Sequence, residues 1–104
     1  MKNYKIPTLT IAGSDSSGGA GVQADLKTFS AIGTYGMSVI TAITAQNTQG
    51  VFEVEELSSN IIKSQIKVVC EDISPKAIKV GMVSSSTNYK GYSRYFKTNI
   101  LVNT

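Results

Sequence analysis

Three observations predict an α/β domain built on a doubly wound, mostly parallel sheet that is incomplete. Short apolar or β-branched runs alternate with helical periodicity over residues 7–87, the order that puts crossover helices on the faces of a parallel sheet. The first run enters its helix through a glycine-rich turn, Gly13 to Gly21. The alternation then fails after about residue 88, before enough strands have accumulated to finish the sheet.

Thr8 to Ala12 reads as the first strand, short and apolar as strands buried on both faces are. Gly13-Ser-Asp-Ser-Ser-Gly18-Gly19-Ala-Gly21 follows. A helix then runs from Gly21 to about Ile32, with Val22, Leu26 and Phe29 at helical spacing, and Gly33 suits the left-handed position that ends it. After the turn Thr34-Tyr35-Gly36, the run Met37 to Thr44 predicts a second buried strand. Ala45 to Gly50 is expected to be a polar loop at that strand's carboxyl end, and Val51 to Leu57 a short strand or extended edge. Ser58, Ser59 and Asn60 are N-cap candidates for a helix whose stripe is Ile62, Ile66, Val69 and Ile73; Ser74-Pro75 ends it. Ala77 to Val80 is a third parallel strand, Gly81-Met82 opens another loop, and Ser84 to Thr87 could cap a further helix. Ile100 to Val102 could begin a fourth strand.

The 104 residues suffice for one small domain, and 41% hydrophobic with 16% charged residues is a globular mix. No apolar run reaches bilayer length. The N-terminal stretch lacks the apolar core of a signal peptide. Cys70 is the single cysteine, which rules out an internal disulfide and fits a reducing, cytoplasmic setting. The net charge of +3 lies wholly in residues 88–104, where Lys90, Arg94 and Lys97 stand without an acid; residues 1–87 balance. Tyr89, Tyr92, Tyr95 and Phe96 crowd there too. This shift divides the chain into a domain part, 1–87, and an atypical tail, 88–104, as truncation or frame disruption produces. It provides no basic face for nucleic acid.

The glycine loop holds most of the functional information. Backbone N–H groups beside a helix N-terminus favour an anion or polar ligand. Gly13 and Gly18 have P-loop spacing, but Gly19 stands where the lysine belongs. Gly19-Ala-Gly21-Val-Gln-Ala24 fits the dinucleotide pattern only formally, because the first strand ends six residues earlier and the second lacks the ribose-binding acid. A plain turn and a ligand-contacting loop both remain open, and three glycines with Ser-Asp-Ser-Ser favour the second. Asp25 and Lys27 read more simply as solvated helix surface. Gln46 and Asn47 follow a strand where open parallel sheets bind ligands, and an amide there offers both donors and an acceptor, suiting an aminopyrimidine edge. Met82 could be core or pocket wall, and Cys70 reads as a buried helix residue. The absence of histidine excludes Ser-His-Asp and Cys-His chemistry, and the cysteine and acid spacing builds no metal cage.

The stretch TIAGSDSSGGAGVQADLKTFSAIGTYGMSVITAITAQNTQGV, with IKVGMVSS further on, closely resembles the N-terminal segment of the hydroxymethylpyrimidine and phosphomethylpyrimidine kinases of thiamine biosynthesis, members of the ribokinase-like superfamily. The resemblance covers about residues 7–87. It implies a ribokinase-like fold and ATP-dependent phosphorylation of 4-amino-5-hydroxymethyl-2-methylpyrimidine and then of its monophosphate, with Mg2+ beside the nucleotide. It carries pyrimidine-site roles onto Gly13, Asp25, Thr44, Gln46 and Met82, and lets Gly18 and Gly19 close the backbone over the hydroxymethyl end. The ring is then expected above the carboxyl edges of two neighbouring strands, beside the Gln46 amide. Family members are often homo-oligomers. The family's anion hole, catalytic base and most of its ATP pocket belong to motifs not found in these residues, so the resemblance assigns this chain the substrate half and predicts no kinase activity from it alone. A pyridoxal-type vitamin kinase and a non-catalytic remnant are the alternatives.

Overall fold

The computed structural model describes residues 5–81 and, as backbone alone, the strand 101–103; Met82, the helix cap at 84–87 and the tail before 101 lie outside the described residues. The elements are β1 (Pro7–Ala12), α1 (Gly21–Ala31), β2 (Tyr35–Ile40), β3 (Ala42–Asn47), β4 (Gly50–Glu56), α2 (Ser59–Asp72), β5 (Ala77–Val80) and β6 (Leu101–Asn103). Four strands form one sheet in the order β2-β1-β5-β6, and every neighbouring pair is parallel. The fourth strand anticipated at 100–102 is β6.

Period-two alternation along β1 gives the sheet two different faces. Leu9 and Ile11 join Val39, Ile78 and Val80 in a cluster closed by Ile62 and Ile66 of α2. Thr8, Thr10 and Ala12 point the other way, where Thr10 bonds Asp25 of α1. The two helices therefore cover opposite faces, and the sheet is doubly wound.

Helix ends follow local chemistry. The Ser58 hydroxyl accepts from Ile61 N–H at 3.3 Å and caps α2. Gly33, at φ +88°, ends α1. There Gly33 N–H donates to Ser30 O and Thr34 N–H to Phe29 O, the paired bonds of a left-handed glycine terminus. Ile73, expected on the α2 stripe, instead ends the helix in an extended conformation, and Pro75 bars the helical region to Ser74 just beyond it.

Two expectations fail between residues 37 and 50. The single strand Met37–Thr44 is broken at Thr41, and the loop Ala45–Gly50 is largely strand. β1 stops at Ala12, so the parallel ladder ends with the Thr41 N–H bond to Ala12 O, and Ala42 O accepts from the loop residue Ser14 instead. Gln65 of α2 takes both backbone groups of Ile40 through its carboxamide, at 3.0 and 2.9 Å. Freed from the sheet, Ala42–Asn47 pairs antiparallel with Gly50–Glu56, with a register shift between Ala45 and Gln46. The hairpin turns over Thr48 and Gln49, where Asn47 Oδ1 accepts from Gln49 N–H.

Candidate functional site

The chain moves from β1 to β2 on one side and returns through α2 to β5 on the other. The loops leaving β1 and β5 consequently part in opposite directions, opening the crevice where such sheets bind ligands. A cavity of about 560 Å³ lies there, a volume suited to a small organic molecule. Gly13, Ser14 and Asp25 form one side, the β3–β4 hairpin with Thr44, Gln46 and Val54 another, and Lys79 and Gly81 of the β5 end the floor.

The glycine loop is held from three directions. Ser14 N–H donates to Ala42 O at 2.8 Å, and Val22 N–H, in the first turn of α1, to Gly13 O at 2.9 Å. Gln23 reaches back from α1, accepting from Asp15 N–H and donating to Ser14 Oγ, both at 2.8 Å. Ser16 Oγ donates to Gln46 O at 2.7 Å and accepts from Gln46 N–H at 2.8 Å, stitching the loop to the hairpin. A Cβ on Gly21, at φ +62°, would lie 2.3 Å from Gly13 O, so only glycine fits this crossing of loop and helix.

Thr44 sets the Gln46 side chain. Its hydroxyl has one proton and two oxygens within reach, Ser14 O at 2.6 Å and Gln46 Oε1 at 3.1 Å. The shorter contact takes the proton. The second becomes a hydrogen bond when the Gln46 carboxamide turns its NH2 toward Thr44, which leaves Oε1 and one N–H for a ligand.

Asp25 is not solvated helix surface. It is 7% exposed, accepts from Thr10 Oγ1 at 2.6 Å, and pairs with Lys79 across the sheet. A carboxylate this buried requires such partners. Lys27 is exposed, as expected, but its ammonium donates to Gly18 O at 2.9 Å.

Gly13, Asp25, Thr44 and Gln46 thus share one cavity, whereas Gly18 and Gly19 are off its lining. Gly18, at φ +86°, closes the turn from Asp15, and Gly19 N–H points to the Asp15 carboxylate at 3.0 Å. Both glycines thus shape the loop around Asp15. Met82 lies outside the described residues.

Residues 15–103 match the model of the phosphomethylpyrimidine kinase family. The chain belongs to that family. The hydroxymethylpyrimidine/phosphomethylpyrimidine kinase of Rhizobium meliloti strain 1021 is 66% identical over 76 residues, which are 73% of this chain and 29% of that protein. The crystal structure of phosphomethylpyrimidine kinase from Clostridium difficile 630 superposes with a TM-score of 0.88 at 67% identity, over 95% of this chain and 44% of that one. Staphylococcus aureus pyridoxal kinase, solved with AMP-PCP and pyridoxal, gives a TM-score of 0.85 at 37% identity, covering 97% of this chain and 39% of its own. The chain thus spans under a third of that curated relative's length, and the ribokinase-like fold is shared by both kinase types. None of the described helices is long and apolar enough to cross a membrane.

Two site residues of this phosphomethylpyrimidine kinase family member escape a reading of the sequence. Lys79 sits between Ile78 and Val80, both buried; a lysine inside so short a buried strand is the signal that a carboxylate waits opposite. Asp15 is 3% exposed in a loop that looks solvated from its composition. Hydrogen bonds from the Ser17 hydroxyl and from the N–H groups of Ser17, Gly19 and Ala20 hold its carboxyl below the usual carboxylate range, against the opposing effect of desolvation.

Proposed function

We propose that this chain carries the acceptor-substrate half of a kinase that phosphorylates 4-amino-5-hydroxymethyl-2-methylpyrimidine and its monophosphate at the expense of ATP. The Gln46 carboxamide carries this reading. With its carboxamide turned so that one N–H faces Thr44, it offers Oε1 to the exocyclic amino group of the ring and its other N–H to the adjacent ring nitrogen. Ser16 fixes the Gln46 backbone and Thr44 holds the carboxamide in reach of the cavity before the ligand arrives, which limits the ordering cost of binding. Ala12, Ala42 and Val54 supply apolar surface around a small ring. Pyridoxal presents an aldehyde acceptor and a neighbouring ring hydroxyl in place of the amino donor and ring nitrogen, so its edge does not match the order of acceptor and donor on the carboxamide. The higher identity to the C. difficile phosphomethylpyrimidine kinase than to the pyridoxal kinase supports the same preference.

The described residues do not fit the phosphates of ATP. The N–H groups ahead of α1, where a phosphate would sit, are engaged by Asp15. In this reading ATP and the expected Mg2+ are bound by other groups, and the described residues bind and orient the acceptor. The 104-residue chain then binds the ring without phosphorylating it; ATP-dependent turnover by this chain would refute that part.

Calorimetric titration with the aminopyrimidine and with pyridoxal tests the assignment. The aminopyrimidine is expected to bind at least about tenfold more tightly, and Gln46→Ala to abolish the difference, as loss of one or two polar contacts implies. Equal, weak binding of both ligands would remove Gln46 from its proposed role.

A further inference from the structure

The loop that looks most like an anion site already contains an anion, and it belongs to the chain. Asp15 Oδ1 accepts from Ser17 N–H at 2.9 Å and from Ser17 Oγ at 2.7 Å. Its Oδ2 accepts from Gly19 N–H at 3.0 Å. The next residue, Ala20, is the N-cap of α1 and offers no side-chain cap, and the first turn of the helix has no acidic residue. The positive end of α1 thus lacks both usual local partners. Gly13 O takes the first-turn Val22 N–H, and the Asp15 carboxylate takes the loop amides of Ser17 and Gly19 just ahead of the helix.

We propose that Asp15 is a positioning residue that occupies the loop's anion nest from within, keeps phosphate out of it, and through the loop fixes Gln46 in the cavity. The link to Gln46 is short. The turn from Asp15 to Gly18 contains Ser16, whose hydroxyl bonds both the N–H and the C=O of Gln46. The turn closes on the Gly18 N–H bond to Asp15 O at 2.9 Å, and Lys27 secures it outside by donating to Gly18 O. Without the carboxylate, the amides of Ser17 and Gly19 lose their acceptor and Ser16 loses its fixed position. The inference deepens the acceptor-site reading: phosphate of a phosphorylated substrate lies away from α1, because the loop amides of Ser17 and Gly19 are already taken by Asp15.

The test is amide NMR of the 104-residue chain, wild type and Asp15→Gly, titrated with sodium formate against sodium chloride at equal ionic strength. Formate is expected to shift the Ser17 and Gly19 amides of Asp15→Gly saturably and to leave those of the wild type in place. Aminopyrimidine affinity is expected to fall about tenfold in the variant and to recover with formate but not chloride, since a charge-assisted acceptor is lost and restored. Equal formate responses in both proteins, or wild-type amide shifts in the formate-free variant, would overturn the proposal. Should Asp15→Gly not fold, Asp15→Asn keeps the volume but loses one acceptor oxygen. Displaced Ser17 or Gly19 amides with weakened ring binding are then expected, and unchanged amides would overturn the proposal. The loop amides report without any pyrimidine, so a wild type that fails to bind the ring while the variant answers to formate refutes the acceptor reading alone.

Discussion

Replacing Gly21 by alanine is expected to damage both the loop and the start of α1. The new Cβ would stand 2.3 Å from Gly13 O and 3.2 Å from Asp15 N, so the Gly13 carbonyl must retreat by about 1 Å to reach ordinary contact. That carbonyl accepts the Val22 N–H bond at 2.9 Å, which the retreat breaks. The left-handed φ of +62° adds its own cost for an L side chain. About 1–2 kcal/mol for the conformation and about 1 kcal/mol for the bond give roughly 2–3 kcal/mol in all. Gly33→Ala is the control: its φ is also positive, at +88°, but nothing lies within 4 Å of a Cβ there, so only the conformational part, about 1–2 kcal/mol, applies. Urea unfolding followed by circular dichroism measures both. Gly21→Ala should lower the midpoint clearly more than Gly33→Ala with a similar slope. Equal losses from the two variants would show that the close crossing of Gly13 and Gly21 is not what the structure depends on.

Lys79→Met strands the Asp25 carboxylate with Thr10 as its remaining partner and should cost about 1–3 kcal/mol at neutral pH; urea unfolding should show Asp25→Asn recovering part of it. The Asp15 carboxyl is held below its ordinary value near 3.8 in the folded chain. Its contribution is therefore present above that value and lost as pH falls through the lower folded value. The stability difference between wild type and Asp15→Asn should stay flat from neutral pH to about 5 and shrink below it, as acid titrations of unfolding will show. Burial pushes the Cys70 thiol above its ordinary value of 9.0, so at pH 8 alkylation of the folded chain should be slower than of the urea-unfolded chain. Ile66→Ala, at a side chain 2% exposed in the cluster under α2, should cost about 2–5 kcal/mol by chemical denaturation. Val68→Ala, at a 67% exposed position, should stay within about 0.5 kcal/mol.

How far the sequence could be read depended on whether the determining partner was near in the chain. β1, the glycine loop, α1 with its Gly33 terminus, and α2 with its serine cap rest on spacing and on residues a few positions apart. The break at Thr41 does not: it depends on where β1 stops and on Gln65, twenty-five residues from Ile40. A β-branched run has no local mark for such a break, so one strand was expected where the sheet and the hairpin divide it. Asp25 failed for the same reason. Its polar character suggests solvent, while Thr10 and Lys79, from two different strands, give it a buried setting. Gln46 was legible as the amide following a strand, although the strand proved to run through it. The inward turn of Asp15 was hidden because the loop composition advertises a site for a foreign anion, and the chain fills that position itself.

The most direct test of the account is a crystal structure of this chain with 4-amino-5-hydroxymethyl-2-methylpyrimidine. The ring is predicted between the carboxyl ends of β1 and β5 and the hairpin, with its amino group and neighbouring nitrogen about 3 Å from the Gln46 carboxamide. A ring bound elsewhere, or seated in the cavity with Gln46 turned away from it, would contradict the account.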